Sequence, residues 1–250
     1  LSAALLAFTA PSMTLAQGEV RESASHRFEE VADGVWFATG TGSVYTMSNA
    51  LVLVGSEDTL LVDSHVTAAA SMALIDSLSV LTDKPVRYLV NSHYHFDHAH
   101  GNQSFPPGVE IIGHEYTRMK LNGEAGNVLE EITFKSFSDP VPGTVRSLER
   151  QAADASSGER REQLLQQAKV QRGYMEAIKE IVPTPPNITL DKKMTLFQTL
   201  EEGSREIQLR HLGRAHTGGD VLVWLPDEKI VFTGDMMLPG VAYMGDGHVD

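Results

Sequence analysis

His93-Tyr94-His95-Phe96-Asp97-His98, inside the longer stretch NSHYHFDHAH of residues 91–100, is the segment on which the reading of this chain turns. Four of the chain's ten histidines fall within eight positions here, spaced i, i+2, i+5 and i+7, with an aspartate at i+4. A lone histidine is by default a solvated loop residue or a core imidazole bonded to a backbone carbonyl. Four so close together, with a carboxylate among them, argue for a metal site instead. The preceding Val86-Arg87-Tyr88-Leu89-Val90 reads as a strand. Side chains alternate along an extended chain, so His93 and His95 face one side, with backbones roughly 7 Å apart. Two imidazoles so placed can close on one tetrahedral cation. Asp97 and His98 follow where the chain must turn, near the start of a short helix, and can present a carboxylate and an imidazole to a neighbouring position. One strand end can thus supply ligands for two metals. Tyr94 and Phe96 alternate with these ligands and are expected in the core beneath them. His100 is read as a residue behind the ligands or at the surface.

Composition narrows the chemistry. The 250 residues suffice for a substantial core, and 42% apolar with 21% charged residues is ordinary for a globular protein. The net charge of −13 repels polyanions, so nucleic acid is not expected as a partner and a small-molecule substrate is. There is no cysteine, which excludes disulfides, a thiol nucleophile and thiolate ligands, so any metal must sit on nitrogen and oxygen.

The N-terminal LSAALLAFTAPSMTLAQGEV has an apolar run ending at Pro11, too short to span a bilayer, then small residues up to Ala16. Residues 1–16 read as the remnant of a secretory signal peptide cleaved after Ala16, the other reading being a frayed apolar helix of the domain. The signal reading places the mature protein, a single domain over 17–250, in the periplasm or outside the cell, with no membrane association after signal removal. Oligomeric state has no signature in the sequence.

Strands are expected at 34–38, 48–54 and 59–63, joined by polar turns as a meander. Met72, Ile75, Leu78 and, less regularly, Leu81 fit a helical period between Thr67 and Leu81, ended by Lys84-Pro85. Residues 139–186, bounded by proline-rich segments, break the rhythm: Leu164, Ala168, Met175, Ile178 and Val182 have helical spacing, and Ser156-Ser157-Gly158 divides two helices. This segment is read as an inserted helical hairpin beside the active-site mouth. Ile207–Leu212 reads as a strand, and 221–225 with 229–233 as a hairpin. The layout is α/β.

The motif is similar to the HxHxDH signature of the metallo-β-lactamase superfamily. Gly213-Arg214-Ala215-His216-Thr217-Gly218-Gly219-Asp220 resembles that family's GxxHTxGD segment, and Phe232-Thr233-Gly234-Asp235 its strand-end GD segment. The run ending Leu61-Val62-Asp63-Ser64-His65 resembles its LLVDxG segment. The resemblance runs from about residue 31 to the end, interrupted by the helical hairpin. It implies a four-layer αββα sandwich with a dinuclear site at one edge, where strand ends converge. His93, His95 and His216 would bind the first metal, Asp97 and His98 the second, and Asp235 would bridge them. Such sites usually take zinc, here two ions per chain, although iron or manganese can occupy them. Paired divalent cations lower the pKa of a bound water toward neutrality and polarise a carbonyl or phosphoryl oxygen. Asp97 is then also the expected catalytic proton acceptor.

The family's second metal normally has a further histidine several dozen residues beyond the bridging aspartate. This chain stops at Asp250, fifteen positions after Asp235, and His248 is read as a loop residue near the site rim. The sequence is therefore expected to be C-terminally incomplete. Asp63 has two readings, orienting a ligand histidine or capping a turn, and so does Asp220. His65, His114 and His211 are taken as structural or surface residues, His26 as terminal and without a role, and Trp36 and Trp224 as core.

The resemblance implies a metal-dependent hydrolase that uses a metal-bound hydroxide on an ester, thioester, lactone or β-lactam bond, and the signal reading makes it an exported one. An aspartate at the bridging position resembles glyoxalase II, lactonases and phosphodiesterases, whereas β-lactamases proper generally carry cysteine or serine there; export favours the latter. Fold alone does not choose among these. Two other classes stand beside this reading, a non-catalytic metal-binding module and an iron-dependent oxidoreductase like the persulfide dioxygenases.

Overall fold

Apolar side chains on both faces of a strand require cover on both sides, and the strands Ala50–Val54 and Thr59–Val62 show it, buried on both faces. The computed structural model describes residues 18–238 and 240, so the signal-peptide reading of 1–16 and the reading of His248 lie outside the described residues. Among the described residues the strands form two sheets. In the larger, β1 (Val20–Glu22), β2 (His26–Ala32), β3 (Val35–Gly40), β4 (Ala50–Val54) and β5 (Thr59–Val62) run as an antiparallel meander. Parallel β6 (Val86–Val90), β7 (Glu110–His114) and β8 (Ile188–Leu190) continue it. The smaller sheet is antiparallel, in the order β12 (Ile230–Phe232), β11 (Leu222–Leu225), β10 (Ser204–Arg210), β9 (Lys193–Thr199).

Leu51, Leu53, Leu60, Val62, Val90 and Ile112 of the larger sheet pack against Ile207, Leu209, Val223 and Leu225 of the smaller one. Ala50, Val52, Leu61 and Leu89 face the other way, onto Leu74 of helix α1 (Ala68–Ser77) and Leu78 just beyond it. Helix, sheet and sheet are thus stacked. The outer face of the smaller sheet carries no helix among the described residues, and Phe197 there is 69% exposed.

Helix α1 exists where expected, capped by Thr67, whose hydroxyl accepts from the Ala70 amide. Its buried face differs from the expected one. Ala70, Ser71, Leu74 and Ser77 are buried, while Met72 is 51% exposed. Small Ser71 and Ser77 let the helix lie close to its neighbours, so close approach rather than hydrophobicity alone selects the stripe. Trp224 is also corrected: Val223 and Leu225 point into the core, leaving Trp224 half-buried on the outer face. Trp36 is buried as expected.

The short α2 (Phe96–Ala99) and α3 (Glu115–Leu121) follow β6 and β7, and then come α4 (Ile132–Ser138), α5 (Val141–Ala153) and α6 (Gly158–Ala177). The break between α5 and α6 falls at the serines, where Ser157 caps α6 by accepting from the Arg160 amide. Phe134, Val141, Val145 and Tyr174 from these helices pack on Phe96 of the histidine motif. Among the described residues, no helix is long and apolar enough to cross a membrane.

His26 is neither terminal nor idle. It starts β2, is 0% exposed, and its Nε2 lies 3.1 Å from Nε2 of the equally buried His65. Burial pushes His26 down to about 4 and His65 down to about 3. Unfolded, both would titrate near pH 6.5, so below that pH the unfolded chain binds protons that the folded chain refuses. Stability is therefore expected to fall as pH drops from about 6.5 towards 4, by up to about 1.4 kcal/mol per histidine per pH unit. Urea unfolding at a series of pH values measures this, and His26→Gln should flatten the acid limb. The helix face is tested separately: Leu74→Ala should cost about 2–5 kcal/mol, and Met72→Ala less than about 0.5.

Candidate metal centre

The site lies where β6, the β10–β11 connection and the end of β12 meet. The Ser92 carbonyl accepts from the Val221 amide at 2.7 Å, which ties the motif to the smaller sheet beside His216. Asp235 sits in a 3-10 turn, Gly234–Met236, directly after β12. Gly234 makes that approach possible: at φ +51, a Cβ there would lie 2.6 Å from Ser92 Oγ. Only glycine fits both the backbone angle and the space.

The sequence-predicted residues come together. One nitrogen each of His93, His95 and His216 lie within 4.8 Å of one another, and all three residues are buried. His216 Nε2 is 2.9 Å from His95 Nδ1. The rings stand nearly perpendicular, with centroids 4.7 Å apart for His93–His95 and 5.0 Å for His93–His216. A second group within the same limit is His93, His98 and Asp235. Asp97 joins through His98, with Oδ2 at 3.4 Å from Nε2. The two oxygens of Asp235 reach to opposite sides, Oδ1 to 3.3 Å from His98 Nε2 and Oδ2 to 3.6 Å from His216 Nε2. Asp235 thus spans both halves.

The donor set fits divalent cations. Buried polar atoms are almost always hydrogen-bonded, yet His93 Nε2 has no hydrogen-bond partner among the described residues. Its Nδ1 pairs with Ser92 Oγ at 3.0 Å. Burial, then the neighbouring His98, His95 and His216, hold His93 well below the usual histidine range, so its nitrogen is a neutral donor. At His98, burial pushes down, but Asp97, Asp63 and Asp235 outweigh it and raise the imidazole well above its usual range. Three carboxylates around one imidazole make a place that holds positive charge, whether a proton or a metal. Asp97 and Asp235 are both held below their ordinary values: burial raises each, and His98 more than offsets it.

Of its two readings, Asp63 takes the one that orients a histidine of the candidate centre. Fully buried, it accepts from the Ser92 amide (2.7 Å), Ser92 Oγ (2.8 Å) and His98 Nδ1 (2.7 Å). With Nδ1 donating, His98 turns Nε2 towards the centre. Asp220 only caps its own turn, accepting from the Thr217 amide and hydroxyl. His114 and His211 donate to the backbone carbonyls of Asp191 and Asp220, as structural residues do. His100 is buried between Phe96 and Phe134 and belongs to neither candidate group. Tyr94 and Phe96 are buried beneath the motif.

Sequence reasoning missed Ser92, Ser48 and the Asn91–Asn102 pair. The two amides bond reciprocally, at 2.9 and 2.8 Å, and lock the motif's strand end to the turn after α2. No local pattern marks them. Asp63→Asn is expected to weaken zinc binding at the His98 side by about 10–100-fold with little change at the three-histidine side. Competition with a chromogenic chelator, read as two separate equivalents, measures it.

The sequence model of the metallo-β-lactamase superfamily matches residues 45–249. No curated protein sequence matches the chain. Among solved structures, a metallo-β-lactamase from Hirschia baltica is 18% identical, with a TM-score of 0.52, over 90% of this chain and 79% of that one. One from Erythrobacter litoralis, with beta mercaptoethanol in its active site, is 17% identical (TM-score 0.47; 84% and 70% covered). One from Pontibacter korlensis is 18% identical (TM-score 0.45; 87% and 71% covered). The Hirschia likeness supports the fold, and the family match, spanning most of the residues and both ligand-bearing halves, decides membership: the chain belongs to the metallo-β-lactamase superfamily.

Proposed function

We propose that this chain is an exported hydrolase of small acyl-type substrates (an ester, thioester, lactone or β-lactam) that works with two divalent cations, zinc being the first choice. The observation that carries the reading is the three-imidazole cluster, with the unpartnered His93 Nε2, lying beside a carboxylate set spanned by Asp235. His93, His95 and His216 would hold one cation, Asp97 and His98 the other, with Asp235 shared. Such cations supply an activated water and a polarised substrate oxygen at neutral pH. No serine or cysteine nucleophile is then required.

The remaining work falls to side chains. Asp97, ionised and facing a cleft of about 520 Å³, is the group to accept a proton from the attacking water and return it to the leaving group. Asp63 keeps the His98 ring from turning. Phe37, Met47, Ile230 and Phe232 give the cleft apolar walls suited to a small organic acyl group. The net charge of −13 disfavours nucleic acid. The signal-like residues 1–16 support action in the periplasm or outside the cell.

Metal analysis with a panel of cephalosporin, lactone, thioester and phosphodiester tests the reading. Two zinc ions per chain and turnover of one carboxylic substrate are expected. Less than one metal per chain after zinc is supplied would sink it. Asp97→Ala should lower kcat by about 100-fold or more while leaving the circular dichroism unchanged; near-normal turnover would remove Asp97 from its role.

A further inference from the structure

The turn Asp63-Ser64-His65 holds helix α2, which carries Asp97 and His98, through both its main chain and its side chains. Asp63 and His65 both have left-handed backbone, φ 69 and 63. Glycine would sit there without strain, and the LLVDxG pattern has glycine where this chain has His65. The main chain of the turn already grips α2: the Ser64 amide donates to the His98 carbonyl (2.8 Å), and the Gly101 amide to the His65 carbonyl (3.0 Å). The histidine side chain must therefore contribute something that glycine would not.

Its contacts form an unbroken buried line. His65 Nδ1 is 3.1 Å from Ser48 Oγ, and that hydroxyl contacts the main-chain carbonyl of Asp97. On the other side, His65 Nε2 is 3.1 Å from His26 Nε2, and His26 Nδ1 is 3.0 Å from Ser25 Oγ. The two rings stack at 5.1 Å with 20° between planes. Ser48 and Ser25 are buried too.

The proton order in this line is set from its Ser48 end. A carbonyl has no proton, so the Ser48 hydroxyl must donate to Asp97 and can only accept from His65. His65 therefore carries its proton on Nδ1. Burial keeps both rings neutral, so His65 Nε2 accepts, His26 Nε2 donates, and His26 Nδ1 accepts from Ser25. At the far end Ser25 Oγ also lies 3.1 Å from the Ala73 carbonyl and 2.8 Å from Ser77 Oγ; Ser77 donates to that carbonyl at 2.6 Å, which leaves the Ser25 proton for His26 Nδ1.

We propose that His26 and His65 form a directional hydrogen-bond relay that, through Ser48, fixes the Asp97 carbonyl and so positions Asp97 and His98, making His65 a positioning residue for the second metal of the centre. The relay itself stands on geometry alone; its service to a metal rests on the function proposed above. Ser48 is the contact point, since it lines the cleft together with Asp97 and His98.

Two measurements on the whole chain test this. Long-range 1H–15N correlation spectra of 15N-labelled protein at neutral pH should show His65 neutral with its proton on Nδ1 and His26 neutral with its proton on Nε2. The opposite tautomers, or a cationic ring in either residue, overturn the relay. Zinc titration is then compared among wild type, Ser48→Ala, His65→Gly and His65→Asn. Ser48→Ala and His65→Gly are expected to lose about tenfold in affinity at the second equivalent and nothing at the first. His65→Asn, which tolerates the left-handed backbone and keeps a donor at the Nδ position, should recover most of that loss. If the histidine acted only through the backbone, glycine would match wild type. Unchanged second-equivalent affinity in both Ser48→Ala and His65→Gly, or equal losses at both equivalents, overturns the positioning role. Failure of the wild type to take up zinc would instead overturn the metal reading, and the positioning role with it, independently of the tautomers.

Discussion

A carboxylate with no exposed surface must have its charge matched by hydrogen bonds, because an unmatched buried charge costs several kcal/mol. Asp63 meets that condition with three donors, two from Ser92 and one from His98. Those bonds join the end of β5 to the end of β6 and set the His98 ring, so one side chain fixes both the strand-end geometry and an imidazole of the candidate centre. The left-handed backbone of Asp63 and His65 follows from the same demand, since the chain must turn sharply beyond Val62 to bring the carboxylate under Ser92. Aspartate and histidine are among the few non-glycine residues found there with any frequency.

Around this anchor the site is a balance of opposite charges. Three imidazoles crowd one side, where burial keeps His93 uncharged, and three carboxylates surround His98 on the other. A cation between the donors would match both halves. Asp235, with one oxygen towards each half, couples them, and it arrives from the smaller sheet through a glycine turn that tolerates no side chain. The centre thus depends on the packing of the two sheets through Leu51, Val62, Leu209 and Val223.

Much of this was legible locally. The β6 strand and its histidines could be read because alternation along an extended chain is a short-range rule, and the α5–α6 break because serine caps a helix through its own neighbours. The face of α1 was not legible: period alone favours the stripe with Met72, while the contacts select the one with Ser71, Leu74 and Ser77. His26 was misjudged for the same reason, since its partner His65 lies 39 positions away. Trp224 was misplaced because a large apolar residue on a strand says nothing about which face will be covered.

By itself, the sequence determined the kind of donors, nitrogen and oxygen with no sulfur, and the spacing that puts His93, His95, Asp97 and His98 at one strand end. It also named the distant partners, His216 and Asp235, by their motif segments. Only the tertiary structure decided which atoms meet: that Asp235 reaches both halves, that Asp63 rather than Asp220 holds the His98 ring, and that His65 reaches Asp97 through Ser48. The physical reason is range. Strand alternation and helix caps are settled by residues a few positions apart, whereas a buried charge or proton finds its partner only after two sheets have packed and brought distant segments within hydrogen-bond reach.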